Sequence, residues 1–166
     1  MISEDLRDIS SGIENISLRL ETRKQQAIVN SYYRGKPEAG DRLRVASFRQ
    51  QFPNAKHRPV GPSRAYNCHG LTFGARRTGI NLPSEISKIL SDDGYRRLEF
   101  SEPIHPGDIA IYVKEGEISH SGMVVWVTEQ QIPWILSKWG IYHEVVHTPQ
   151  DCPYRDCAVI CYRLER

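Results

Sequence analysis

The stretch from Ile109 to Leu164 limits the fold most tightly. Five short runs lie in it: Ile109–Val113, Gly122–Val127, Trp134–Trp139, Glu144–Val146 and Ala158–Leu164. Each is rich in β-branched and aromatic residues, and turn residues separate them. The residues before them follow a different rhythm. Helix-like segments come first and strand-like segments afterwards, which predicts an α+β protein whose antiparallel sheet is covered on one face.

Ile2, Leu6, Ile9, Ile13, Ile16 and Leu20 step by 4, 3, 4, 3 and 4, and Ala27 keeps the register. Glu14, Arg19, Glu21, Arg23 and Lys24 flank this heptad seam. The spacing predicts a helix over 1–33, ended by Gly35 and Pro37. That helix either packs on its own domain or binds another helix, in a homodimer or a partner protein. Further helices are expected from Asp41 to Phe52, over 68–78, and from Pro83 to Asp92. Residues 53–65, with Pro53, Pro59, Gly61 and Pro62, form an irregular approach to Tyr66. The expected architecture is N-terminal helices followed by a small antiparallel sheet. Residues 1–36 are expected to make an amphipathic helix and 37–166 the domain that follows it.

The 166 residues suffice for one domain. A net charge of +2, from 22 basic and 20 acidic side chains, argues against nucleic acid as a partner. No apolar run approaches the roughly 18 residues that span a bilayer, and no membrane partner is expected. Met1-Ile2-Ser3-Glu4-Asp5 is acidic and unlike a secretory signal. The expected location is the cytoplasm, or export by a route that needs no such signal.

Of the four cysteines, Cys152, Cys157 and Cys161 cluster late and Cys68 stands apart. Asn67 is a good N-cap, so Cys68 falls in the first turn of a helix. Unpaired backbone N–H groups and the helix dipole there favour an anion, which suits a thiolate and an oxyanion alike. His120 opens a strand, from which an anchored imidazole can serve as a base.

Asn67-Cys68-His69-Gly70-Leu71, Pro106-Gly107-Asp108 and His120-Ser121-Gly122, in that order, resemble the NlpC-type papain-fold cysteine peptidases and their CHAP relatives. The resemblance covers about residues 60–140. It implies a papain-like core, a Cys68 nucleophile and a His120 base, with no cofactor and no metal. Two positions depart from the pattern: Asn67 stands for an acidic residue and His69 for a small one. The family's third polar residue orients the histidine from the next strand. Ser137 falls nearest, Lys138 cannot accept an imidazole N–H, and His143 or His147 are the alternatives. Tyr66, Asn67, His69 and Trp139 are the candidate substrate-binding residues.

His147, Cys152, Cys157 and Cys161 lack the paired spacing of strong zinc motifs, and burial is the plainer account. Arg76 and Arg77 are expected on an exposed helix face. The first functional reading is a hydrolase that cleaves an amide bond through an acyl-enzyme, in a peptide, a peptidoglycan stem or a protein side chain. The alternatives are an acyltransferase or transamidase on the same scaffold, and a non-catalytic interaction module assembled through the N-terminal helix.

Overall fold

Strands dominate the molecule. The structure, a computed structural model, describes residues 7–8 and 13–165. Among them are ten strands: β1 (Arg7–Asp8), β2 (Ile13–Ile16), β3 (Tyr32–Tyr33), β4 (Lys56–His57), β5 (Tyr95–Arg97), β6 (Ile109–Lys114), β7 (Glu117–Val127), β8 (Pro133–Lys138), β9 (Glu144–His147) and β10 (Ala158–Leu164). Only three short helices accompany them: α1 (Ala39–Gln51), α2 (Cys68–Phe73) and α3 (Pro83–Asp92). Seven strands form one antiparallel sheet in the order β4-β9-β8-β7-β6-β10-β5, and β1, β2 and β3 form a second. The expected fold class, N-terminal helices followed by a small sheet, is therefore overturned.

The five strands foreseen between Ile109 and Leu164 all form, because alternating side chains can be buried on both sides of their sheet. Ala110, Tyr112, Val124, Ile135 and Val145 turn to one face and pack with Phe48 of α1 and with its C-cap Phe52. Ile109 and Ile111 turn to the other, against Ile86, Ile89 and Leu90 of α3. The sheet is thus covered on two faces, not one. Each fully buried aliphatic side chain contributes roughly 1.5–3 kcal/mol.

Residues 13–33 contain no helix. Three features of the segment compete with the heptad pattern. The Asn30 side chain donates to the carbonyls of Leu18 (2.8 Å) and Ile28 (2.9 Å) and accepts from the Leu18 N–H (2.9 Å). A tight turn at Thr22–Gln26 holds Gln25 at φ 61°. Ile28 is buried in the α3 cluster. Local side-chain bonds of this kind replace helical ones, and the segment is held by its own domain. Ile2, Leu6 and Ile9 of the seam lie outside the described residues.

The helix expected over 68–78 stops at Phe73. Gly74 and Arg76 both direct their N–H to the Gly70 carbonyl, and Ala75 (φ 51°) and Arg76 (φ 65°) turn left-handed. Helix α1 begins at Ala39, before the expected cap Asp41, whose carboxylate accepts the Glu38 N–H from inside the helix (2.9 Å). No helix among the described residues is long and apolar enough to cross a membrane.

Candidate functional site

Asn67 is the N-cap that the sequence leads one to expect. Its Oδ1 accepts from the N–H groups of Gly70 (2.8 Å) and Ile80 (3.1 Å), and its Nδ2 donates to Ile80 O (2.8 Å) and Asn81 Oδ1 (3.0 Å). One side chain thereby caps α2 and ties it to the chain returning at Ile80. Gly70 is required at its place: a Cβ there would lie 1.7 Å from the Thr78 carbonyl oxygen. Cys68 is the first residue of α2 and is buried.

Strands β7 and β8 part beside it. Their ladder ends at Met123↔Leu136, although β7 extends back to Glu117 and β8 runs on to Lys138. Helix α2 packs on both strands at this fork. Burial pushes the Cys68 thiol up to about 11, against the backbone N–H groups of Ser121, His69 and Cys68 itself and the charge on Lys138. The sulfur thus meets a backbone amide of β7, and the charge of Lys138 on β8 favours its anion.

His120 directly precedes that amide. Its side chain is fully buried. The ring lies flat on Tyr154, centroids 3.7 Å apart, and edge-on to Tyr112 at 5.1 Å. Neither ring nitrogen has a hydrogen-bond partner among the described residues. The structure therefore makes no hydrogen bond between His120 and Cys68. Burial, reinforced by His147 and His69, holds the imidazole neutral, well below its ordinary range.

Ser137, the expected orienting residue, is engaged elsewhere. Its Oγ lies 2.7 Å from His147 Nε2, and His147 Nδ1 lies 2.9 Å from the Thr148 carbonyl. A carbonyl only accepts, so Nδ1 carries the proton and Ser137 donates to Nε2. His143 is engaged too, with its Nε2 2.8 Å from His57 Nδ1, while His57 Nε2 donates to Phe52 O (2.9 Å). None of the three orients His120 by a hydrogen bond.

His69 holds α2 to the sheet. Its Nδ1 lies 2.7 Å from Ser121 Oγ, which donates to Thr72 Oγ1 (3.0 Å), which donates to the Cys68 carbonyl (2.9 Å). This order leaves Ser121 to accept from His69 Nδ1–H. Trp139, expected at the substrate, is instead a core residue, 1% exposed and edge-on to Phe48 and Phe52.

Tyr66 donates its hydroxyl to Glu144 Oε1 (2.8 Å). Glu144, itself buried, also accepts from Arg76 Nε (2.6 Å) and Nη2 (3.1 Å), and Arg58 Nε stands 3.6 Å away. Arg76 is exposed, as expected, but lies beyond the end of α2 and is an ion-pair partner of β9. Lys138 and Tyr154 stand in the stretches Ser137-Lys138-Trp139-Gly140 and Asp151-Cys152-Pro153-Tyr154, which the sequence suggests as a surface beside the cleft, whereas Glu144 is marked by no motif.

A surface groove of about 570 Å³ lies elsewhere, between the 97–104 loop and β10, and includes none of these side chains. Among the described residues no group of three or more His, Cys, Asp or Glu is placed to hold a metal ion. No protein-family model matches the chain. A search of curated proteins found no match. A search of solved structures found none either.

Proposed function

We propose that the chain is a cysteine-nucleophile hydrolase acting on an amide bond of a peptide, a peptidoglycan stem or a protein side chain. One observation carries the reading: a buried imidazole with both nitrogens unpartnered, His120, sits one residue from the β7 amide that faces the Cys68 sulfur. Unpaired buried polar atoms are costly, and enzymes keep them where chemistry needs them. The order of Cys68, Pro106-Gly107-Asp108 and His120-Ser121-Gly122 supports a resemblance to NlpC-type cysteine peptidases.

In the reaction His120 takes the thiol proton and Cys68 attacks the carbonyl carbon. The N–H groups of His69 and Ser121 receive the oxyanion. His120 returns the proton to the leaving amine, and water then cleaves the thioester. The neutral state of His120 fits a base. The buried thiol fits a nucleophile that is deprotonated only once the base is engaged.

A second reading, an interaction module with an idle cysteine, draws on the same burial of Cys68 and on the missing sulfur–imidazole bond. Incubation with peptide and peptidoglycan amides, followed by mass analysis of the Cys68 peptide, separates the two. A hydroxylamine-labile acyl adduct on Cys68, with turnover at least a hundredfold lower in Cys68→Ala and His120→Ala, is expected. Turnover that survives Cys68→Ala refutes the hydrolase. A product joined to an added amine in place of water would identify a transferase.

A further inference from the structure

Strand β10 is paired along one side only. Toward β6 it pairs from Ala158 to Tyr162, but toward β5 only from Tyr162 to Leu164. Along a strand, backbone groups point alternately to the two neighbours. Leu98 N–H donates to Cys161 O (2.9 Å), so Cys161 and, two residues away, Val159 point away from β6. The bond from Val124 N–H to Asp108 O (2.8 Å) gives the same parity. It turns Asp108, Ala110 and Tyr112 toward β7, which leaves Ile109 and Ile111 to meet Tyr162 and Ile160 on β10. Among the described residues nothing pairs with the Cys161 N–H, or with the N–H and C=O of Val159. These residues border the groove of about 570 Å³.

The groove opens because the chain leaves β10 after Leu98 and is tied elsewhere. Glu102 N–H closes a turn on Glu99 O (3.0 Å), and the Glu102 carboxylate accepts from Glu99 N–H (2.7 Å) and from both prongs of Arg96 (2.7 and 2.8 Å). Farther on, Ile104 N–H donates to Gln131 Oε1 (2.9 Å), and Arg163 Nη2 donates to Pro103 O (2.8 Å). The wall is thus held by its own bonds, and Phe100 on it is fully exposed. A preformed groove spares a ligand the cost of ordering it.

Backbone groups want partners, and a donor and acceptor on one extended residue are matched by another extended backbone. Val159 and Ile104 pack on the same core cluster, which offers an apolar bed for a side chain of that segment. The open edge over Ala158–Cys161 is about 13 Å long. Two folded copies need on the order of 800 Å² each for a stable contact, far more than so short and walled an edge presents. We propose that the β10 edge at Val159–Cys161 is a docking site for one extended peptide segment of a partner protein, added antiparallel to β10 with an apolar side chain set between Val159 and Ile104. The segment exchanges two hydrogen bonds with Val159 and offers a carbonyl to the Cys161 N–H. The site stands or falls without the hydrolase reading.

The probe is a set of blocked hexapeptides, acetyl-Thr-X-Thr-X-Thr-Lys-amide with X as Val, Ile, Leu or Phe, added to the intact protein at up to about 1 mM. Amide hydrogen exchange, resolved by residue, reads the edge directly. In the free protein Val159 and Cys161 should exchange at least about a hundredfold faster than Ile160, which is bonded to β6. The tightest peptide should slow Val159 about tenfold or more. Of two alternately N-methylated forms of that peptide, the one blocked toward β10 should bind about tenfold more weakly and the other within about twofold of the parent. Val159→Pro removes the outward N–H and spares the bonds to β6, so it should also weaken binding about tenfold. Should that variant not fold, the N-methylated pair carries the comparison. Three results overturn the inference: no protection by any member of the set, equal loss from both N-methylated forms, or protection of Val159 in the free protein that rises with its concentration, which would mean that copies pair through this edge.

Discussion

The ring of Tyr154 lies 11° from parallel on the ring of His120, with 3.7 Å between centroids. Tyr154 comes from two successive turns, closed by Arg155 N–H to Cys152 O (3.3 Å) and Cys157 N–H to Tyr154 O (3.0 Å). Cys68 adds to the burial that raises the Tyr154 phenol. The tyrosine therefore shields the imidazole from solvent.

Tyr154→Ala should remove that shield. Unfolding free energy should fall by about 2 kcal/mol, the toll of a large, partly buried ring, and labelling of Cys68 should speed several-fold. Tyr154→Phe, which keeps the stack, should match the parent in both. Urea denaturation and mass-resolved labelling give the two numbers. Unchanged labelling in Tyr154→Ala would mean that the stack is not what limits access.

Gly70→Ala should cost about 3 kcal/mol or prevent folding. Its Cβ would meet the Thr78 carbonyl at 1.7 Å, and both partners are backbone, so neither can swing aside. Gly40→Ala is the matched control. It lies in α1 with nothing within 4 Å of the added carbon, so it should stabilise by about 0.5–1 kcal/mol. Denaturant midpoints of the two variants should move in opposite directions; a shared direction would contradict the packing around α2.

Acid should destabilise the fold well above the range in which carboxylates titrate. Burial lowers His69, His143 and His147 to about 4 from an ordinary 6.5. The unfolded chain takes up protons near 6.5 and the folded chain only near 4. Stability is therefore fully present above pH 6.5 and drains away as the pH falls toward 4. Each histidine adds a slope of at most about 1.4 kcal/mol per pH unit. Urea midpoints at pH 7.5, 6 and 5 should decline in that order; a flat series would show that these imidazoles gain protons without unfolding.

The sheet was legible wherever its residues alternate. β6 through β10 follow from β-branched and aromatic runs with turn signals between them. β4 and β5 do not, because two or three residues such as Lys56–His57 become a strand only through the neighbour they pair with. The isoleucine seam misled because spacing alone does not register the bonds Asn30 makes to Leu18 and Ile28, or the pocket that α3 offers Ile28. The capped turn at Asn67-Cys68 was legible, since the cap acts within a few residues. The partners of Ser137 and His120 were not. Which of several histidines meets a given hydroxyl, and which tyrosine lies on which ring, depends on a connecting segment with no periodic signal.

Strand β10 is the last of the strands in chain order, yet it lies inside the sheet, between β6 and β5. Tyr95–Arg97 reaches the sheet only through it. A chain emerging from the ribosome can zip β6 to β9 as they appear. It must hold the 95–97 segment unpaired until Ala158–Leu164 has been synthesised and slots in between.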